Sequence, residues 1–270
     1  MTGDALLSER PGQLGELARR AVGDGASVLV VVGGDGSVNE VVNGLGPHDA
    51  VELAVIARGT GWDFVRTYGI PRRLEEAVAV ARDGRAREVD VGRTTYRSWS
   101  GPDESRRFVN IASAGMSGAI AKRANETTKA LGGKASYVWA TLAVFARWRN
   151  CDVRVSVDGE TREGRLHDVV VANGRYFGGG MMICPGAEPD DGLLDVLLIG
   201  DLTKRDLLVT LPKTYAGKHL PHPKAELLRG AAVSVDAERP LPVELDGEQP
   251  GTTPARFELE RRALRVRVPG

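Results

Sequence analysis

Cysteine, lysine and any surplus of one charge are scarce in this sequence of 270 residues. Its two cysteines, Cys151 and Cys184, stand far apart with no His or Cys neighbour at zinc-ligand spacing, which excludes a disulfide scaffold and a zinc finger. A reduced cytoplasm is the expected home. Lysine does not occur before Lys122, so the first part of the chain has no GxxxxGK(S/T) loop. A phosphate bound there must rely on backbone N–H groups, arginine or metal. Lys+Arg and Asp+Glu both number 36 and intermix along the chain, which argues against a basic face and against nucleic acid as a partner. No apolar run approaches the roughly 20 residues of a membrane-spanning helix, and no start segment joins positive charge to an apolar stretch. Neither a transmembrane helix nor a signal peptide is read.

What is present is alternation. In LGELARRAV, Leu14, Leu17, Ala18 and Ala21 share one helical face, and Ser27 to Val32 is a short β-branched run. A helix from Val38 to Leu45, a strand from Leu53 to Ala57, a helix from Leu74 to Asp83 and a strand from Glu88 to Gly92 follow. Strands and helices at this spacing predict βα units on a parallel sheet. Ligands on such sheets sit beyond the carboxyl ends of the strands, where Gly33–Ser37 and Arg58–Asp63 fall. After about residue 93 the pattern changes to a polar loop over Ser98–Arg107, a strand over Phe108–Ala112, and helices over Ala119–Leu131 and Ser136–Arg149. β-patterns then dominate: Val153–Val157, Asp168–Ala172, Leu194–Ile199, Ala232–Asp236, Val243–Leu245, Arg256–Leu259 and Leu264–Val268. The Asp-Gly pairs in VDGE (Val157–Glu160) and LDGE (Leu245–Glu248) signal hairpins. The expectation is an α/β nucleotide-binding domain with a Rossmann-like parallel sheet, followed by an antiparallel domain.

Three stretches carry candidate chemistry. In GGDGS, Gly33, Gly34 and Gly36 permit close backbone approach to a polyphosphate, and Asp35 can hold a metal or take a proton. The plainer reading is that Ser37–Glu40 is an S-x-x-E capping box that starts a helix. In ARGTGWDFVR, Gly59, Thr60 and Gly61 offer open backbone and a hydroxyl, while Arg58 and Arg66 offer charge-assisted bonds to phosphate. There Asp63 caps a turn, and the aromatics Trp62, Phe64 and Tyr68 read as ordinary core in preference to a stacking surface for a purine. In CPGAEPDDGLLDV, paired acids before glycine suit a hard divalent cation, or simply a turn. The run Ala135–Trp148, with Trp139, Phe145 and Trp148, reads either as a lipid entry surface or as a helix packed on a sheet. His219 and His222 lie in a loop with no third ligand nearby.

In this order the pieces resemble the diacylglycerol kinase catalytic family, soluble bacterial lipid kinases related to sphingosine kinases. GGDGS with NEVVNGL resembles the family's GGDGT-x-NE-x-x-NG signature, RGTGWDFVR its GTGNDFAR, and VANGRYFGGGMMICPGAEPDDGLLDV its NG…GGG…DDG block. LDGE is similar to its V-DGE element. GGDG alone is shared with NAD kinases; the ordered set is specific. The resemblance implies an NAD kinase/diacylglycerol kinase-like fold, with the nucleotide-binding domain over residues 1–92 plus 261–270 and a β-sandwich lipid-substrate domain over 93–260. It implies ATP and magnesium (Mg2+) as cofactors. Gly33, Gly34, Gly36, Ser37, Glu40, Arg58, Gly59 and Thr60 fall in the nucleotide-site motifs, and Asp35, Asp90 and Glu248 match the catalytic acids and base. Asp191, with backbone oxygens of Glu188 and Leu193, matches a structural magnesium site.

The activity so implied is transfer of the γ-phosphate of ATP to a lipid hydroxyl, most plausibly that of diacylglycerol, giving phosphatidic acid. Peripheral contact with the inner membrane surface from the cytoplasm, and a homodimer, belong to the same expectation. Alternatives are a sphingoid-base kinase, a catalytically impaired lipid-binding paralogue and, less well matched, an NAD kinase. The sequence departs from the family pattern at its start, near LLSERPGQ, where the opening strand with N-P-x-(S/A)-G is not found. It also has Trp62 where Asn is usual and Ser37 where Thr is usual.

Overall fold

The computed structural model describes residues 3–126, 141 and 143–270. The amphipathic helix α1 (Gln13–Gly23) precedes β1 (Val28–Gly33), α2 (Asp35–Gly44), β2 (Glu52–Ala57), the short α3 (Asp63–Thr67), α4 (Leu74–Asp83) and β3 (Arg85–Ser98). β1 pairs parallel with β2 in register from Val28↔Glu52 to Gly33↔Ala57. It is an edge strand of the described sheet, and Val30 and Val32 are exposed. α1 packs on α2 where two glycines meet: a Cβ on Gly44 would lie 2.2 Å from Gly15 O, and one on Gly15 would lie 2.9 Å from Glu40 O. Leu53, Val55, Phe64, Val65, Val89 and Val266 are among the buried residues of this layer.

The second layer contains β4 (Asp103–Phe108), β5 (Ile111–Gly115), α5 (Met116–Glu126), β6 (Cys151–Val157), β7 (Glu160–Leu166), β8 (Asp168–Ala172), the two-residue strands β9 (Tyr176–Phe177) and β10 (Met181–Met182), and β11 (Leu194–Ile199). Then come α6 (Lys204–Thr214), β12 (Ala225–Gly230), β13 (Ala232–Ala237), β14 (Pro242–Leu245) and β15 (Glu248–Val268). The strand order is β12-β11-β8-β5-β14-β15-β13-β6-β7, all antiparallel. Phe108, Val155, Val171, Val196 and Phe257 lie in its interior.

Two strands belong to both layers. β15 pairs antiparallel with β3 from Gly251↔Ser98 to Val268↔Arg85, with irregularities between Thr252 and Ala255 and between Glu260 and Leu264. Its far end also pairs parallel with β2, Arg265 opposite Glu52. The sequence pattern breaks both strands into pieces because β-branched runs stop at the bend. In the structure the segments Glu88–Gly92, Arg256–Leu259 and Leu264–Val268 are parts of these two continuous strands. The polar stretch expected as a loop over Ser98–Arg107 is largely strand β4, whose DESRRF lacks alternation because it pairs with β3 alone and is mostly exposed. The strand expected at Phe108–Ala112 begins three residues later. Within the Ala119–Leu131 expectation, α5 is helical to Glu126, having begun at Met116. Part of the Ser136–Arg149 expectation, including Trp139, lies outside the described residues; residues 143–147 are helical.

The Gly15–Gly44 crossing has a direct consequence. Gly44→Ala forces a methyl into the backbone of α1, so a loss of about 1–3 kcal/mol is expected despite the better helix propensity of alanine. Urea unfolding followed by far-ultraviolet circular dichroism measures it.

Candidate active site

Both glycine-rich stretches leave a parallel strand at its carboxyl end and meet. Arg58 N donates to Gly33 O at 2.8 Å. A Cβ on Gly59 would lie 2.6 Å from Gly34 Cα, so the two loops touch backbone to backbone at positions only glycine tolerates. Gly34 is the N-cap of α2, and no side chain caps that helix end. The first backbone N–H with a helical acceptor is that of Val38, which donates to Gly34 O at 3.1 Å. The amides of Asp35, Gly36 and Ser37 therefore remain for an anion, at the positive end of the helix dipole.

This corrects the capping-box reading. Ser37 stands in the first turn, its side chain beside Gly33. Glu40 does not reach back to the cap: its Oε2 accepts from Leu14 N at 3.3 Å and ties α2 to α1.

Asp35 opens α2 and turns toward the second loop. Its Oδ1 accepts from Phe64 N at 2.9 Å, and its Oδ2 would lie 2.4 Å from a Cβ on Gly61. Asp63, the first residue of α3, stands beside it. Asp63 is 7% exposed; its Oδ2 accepts from Gly179 N at 2.8 Å and its Oδ1 pairs with Arg66 at 3.1 Å. Burial pushes its pKa up to about 6, the Gly179 amide opposes that shift, and the negative charge of Asp35 adds to it. Arg66 also donates to Gly61 O at 2.6 Å, while Arg58 and Thr60 are exposed. Asp63 was read from sequence only as a turn cap; the missed signal is that it follows the glycine loop directly and that the later GGG stretch has a place beneath it.

The second domain meets this face through asparagines. Asn39, one helical turn from Asp35, donates from Nδ2 to Asp246 Oδ2 at 2.9 Å and to Arg107 O at 3.0 Å. Asp246 also accepts from the backbone N–H groups of Val109, Asn110 and Ile111 at 2.7, 2.9 and 3.1 Å. The Asp246–Gly247 turn is thereby fixed against the face of α2 that carries Asp35. Glu248, next in the chain, begins β15 and is exposed.

Asp90, expected among the catalytic acids, lies where β3 meets the DDG turn and β15. It is 1% exposed, and both carboxylate oxygens are occupied: Oδ2 by Gly192 N at 2.8 Å and Oδ1 by Arg262 N at 2.7 Å. It binds the DDG turn and the irregular part of β15 to β3. In that turn Asp190 forms a two-pronged pair with Arg87 at 2.7 and 2.8 Å. Asp191 accepts from Leu193 N at 3.0 Å and pairs with Arg229. The oxygens of Asp191, Glu188 and Leu193 were expected to hold magnesium. As arranged, the Asp191 carboxylate pairs with Arg229, and Glu188 O accepts from Asp191 N at 3.4 Å. Asp35 and Asp63 offer a second set of hard oxygen donors of the kind a magnesium ion prefers: two carboxylates side by side, one with its pKa raised partly by the other.

Behind the site the second domain encloses an apolar cavity of about 240 Å3, whose lining includes Met116, Ile120, Phe177, Met181, Leu197 and Leu211. Phe177 and Met181 flank the same glycine run that holds Asp63, so the cavity approaches the acidic pair from below. Asp168 also lines it, with its pKa pushed up to about 6 by burial, beside His167, whose pKa burial lowers to about 4. Ser117 N donates to Asp168 at 2.9 Å, and Ser117 Oγ donates to Ser113 Oγ at 2.6 Å. Ser113 Oγ in turn donates to the buried Glu244 at 3.0 Å, whose pKa burial pushes up to about 8.

A phosphate-sized helix terminus, an acidic pair and an apolar cavity describe a phosphotransferase acting on a substrate with a greasy part. The comparisons agree. The diacylglycerol kinase catalytic domain family matches residues 2–94, and the YegS C-terminal NAD kinase beta sandwich-like domain family matches residues 110–268. A protein of Pseudomonas aeruginosa described as "Probable lipid kinase YegS-like" is 32% identical over 260 residues, covering 96% of this chain and 82% of its own length. A "Diacylglycerol kinase" of Staphylococcus carnosus is 27% identical over 266 residues, 98% and 84% of the two chains. A crystal structure of a diacylglycerol kinase from Bacillus anthracis has the same fold, with TM-score 0.73 at 22% identity over 97% of this chain and 84% of that one. Yeast NADH kinase is a more distant fold relative, with TM-score 0.53 at 11% identity over 91% and 62%. The chain belongs to the family of bacterial diacylglycerol kinases and YegS-like lipid kinases.

Because the pKa of Asp63 is raised in the folded protein, the folded state holds more protons than the unfolded one between about pH 4 and 6. Stability therefore falls as pH rises through that window and levels off above it. Asp63→Asn removes this contribution, and at pH 7 it is expected to raise unfolding stability by about 1–3 kcal/mol. Urea midpoints of the two proteins from pH 4 to 8 should converge at the acid end and separate toward pH 7.

Proposed function

We propose that the protein transfers the γ-phosphate of ATP to the hydroxyl of diacylglycerol. The observation that carries this reading is the Asp35–Asp63 pair, set where two glycine loops cross over the uncapped N-terminus of α2. The free amides of Asp35, Gly36 and Ser37 receive a phosphate, and Arg58, exposed at the mouth of the second loop, meets the phosphate chain. Asp35 and Asp63 would hold a magnesium ion, which would supply neutralisation of the charge on the transferring group. Arg66 keeps Asp63 in place through its bonds to Asp63 and Gly61 O.

Phosphoryl transfer has a loose transition state and asks the protein chiefly for alignment and charge compensation. The acceptor hydroxyl must arrive in line with its proton facing a base. Glu248 is the base in this reading: it is exposed and adjoins a turn fixed against α2, whereas Asp35 is engaged by Phe64 N. The apolar cavity takes acyl chain, which explains why a cytosolic-type α/β nucleotide layer is fused to a second layer with such a lining. Asp90 and Asp246 act as structural anchors that hold the two layers in register.

Magnesium-dependent transfer from radiolabelled ATP to diacylglycerol in mixed micelles tests the reading. Asp35→Asn and Glu248→Gln are each expected to lower kcat at least a hundredfold, with Glu248→Gln retaining the thermal shift given by ATP and magnesium. Full activity of Asp35→Asn, or transfer to NAD in place of lipid, would overturn it. A bulky change in the cavity, Leu197→Trp, should lower activity on long-chain substrate while leaving the nucleotide shift intact.

A further inference from the structure

Trp62 and Arg72 have no part in the phosphate and metal groups described so far. Trp62, expected to be ordinary core, is only partly buried, and its backbone lies at φ 63°. A bulky side chain seldom takes that left-handed conformation, which glycine or asparagine holds at lower cost. The indole offsets part of the strain: Nε1 donates to Gly59 O, and the ring packs against the edge of the α/β core.

The chain then returns over this ring. After α3, Gly69 turns it at φ 65°, Ile70 N donates to Val65 O at 2.9 Å with the Ile70 side chain buried, and Pro71 leads into Arg72. The Arg72 guanidinium carbon lies 3.0 Å from the centroid of the Trp62 ring. Other arginines of the region have acidic partners: Arg66 pairs with Asp63, Arg73 with Glu76 and Arg87 with Asp190. Arg72 is exposed, and its side chain has no hydrogen bond or ion pair among the described residues.

Stacking on an indole restrains a guanidinium but uses only its face, because the N–H groups lie in its plane. Arg72 is therefore a held cation with donors to spare. Two contacts, Arg72 to Trp62 and Trp62 to Gly59, join it to the point where Gly59 meets Gly34 and the two glycine loops cross. A planar fork of N–H groups matches the oxygens of a phosphate. A purine stacked on this face of Trp62 would first have to displace the guanidinium that covers it.

We propose that Trp62 holds Arg72 as a phosphate-binding residue for the polyphosphate chain of the nucleotide. Trp62 is a positioning residue and acts through Arg72. The inference rests on the phosphotransferase reading for the nucleotide, and it does not depend on which alcohol is phosphorylated. A stack that only fastened the connection between α3 and α4 would change unfolding stability and leave ligand affinity as it is.

The test is isothermal titration of the full chain, in magnesium, with ATP, inorganic tripolyphosphate or dioctanoyl phosphatidic acid. Arg72→Ala is expected to weaken ATP and tripolyphosphate by the same factor, about tenfold or more for one charge-assisted contact, and to leave the lipid phosphate unchanged. Trp62→Asn, which suits the left-handed backbone, should lose about as much, and the double variant no more than Arg72→Ala alone. Arg73→Ala removes the same charge one residue further on and should change nothing. Should Arg72→Ala lose its far-ultraviolet circular dichroism, Arg72→Gln, nearer in shape, should show the same loss of affinity. Unchanged ATP affinity without Arg72, an equal loss in Arg73→Ala, or additive losses in the double variant would each overturn the proposal. So would a loss confined to phosphatidic acid, or one seen with ATP but not tripolyphosphate, which would put the base on this stack. If the unaltered protein binds ATP but phosphorylates no diacylglycerol, the lipid-kinase reading fails while the titrations still decide the role of Arg72.

Discussion

The carboxylate of Asp90 stands where β3 and β15 cross from one layer to the other, and the relation between the layers depends on how its charge is satisfied. A buried carboxylate without partners would cost several kcal/mol. Here one oxygen takes the amide of Arg262, at the irregularity where β15 bends, and the other takes the amide of Gly192, at the end of the DDG turn. The backbone of Asp90 is used as well: its N–H donates to Pro189 O at 2.6 Å and its carbonyl accepts from Asn173 at 2.9 Å. One residue therefore fixes the bend of a strand, the position of an acidic turn and the asparagine that begins the glycine-rich stretch under Asp63. Removing the carboxylate would release the bend and the turn, while the backbone of Asp90 would keep its bonds to Pro189 and Asn173.

The two Asp-Gly hairpins show how far local sequence reaches. VDGE and LDGE both form two-residue turns with Asp at φ 47° and glycine at φ 91° and 93°, as the dipeptide predicts. What the aspartates then do differs. Asp158 accepts from the amides of Ala231 and Ala232 in a neighbouring turn on the outer side of the sandwich. Asp246 accepts from three successive amides and from Asn39 across the layers. The turn type is written in two residues; the identity of the donors depends on segments between 73 and 207 residues away.

The α/β alternation, the antiparallel second layer and the place of both glycine loops at the carboxyl ends of strands were legible because period and glycine spacing are local; the contact between the loops was not. The polar strands β4 and β7 were not, since both stay largely exposed and so lack the apolar alternation that marks a strand. The S-x-x-E pattern misled for a related reason: Glu40 finds a donor at the start of α1, a tertiary partner that a four-residue motif cannot show. Asp63 escaped notice because its carboxylate looks like an ordinary helix-start acid until Gly179 and Asp35 are brought beside it. The arginine partners of the DDG turn, Arg87 and Arg229, were not legible because they come from distant strands.

The partners are what separate the acidic pair from the anchoring acids. The Asp90 carboxylate is met by two amides, and that of Asp246 by three amides and Asn39, although burial still pushes the Asp246 pKa up. Asp63 is met by one amide and one arginine yet faces Asp35, and its raised pKa reports that the remaining charge is unwelcome in the protein alone. A ligand that brings positive charge to this pair relieves that cost and so binds the folded state in preference to the unfolded one. The free amides of α2 act in the opposite sense, waiting for negative charge only a few ångströms away. A ligand with both signs, a polyphosphate with its counter-cation, satisfies the two at once, and this is why the glycine crossing that brings α2 and α3 together matters more to the site than any single carboxylate in it.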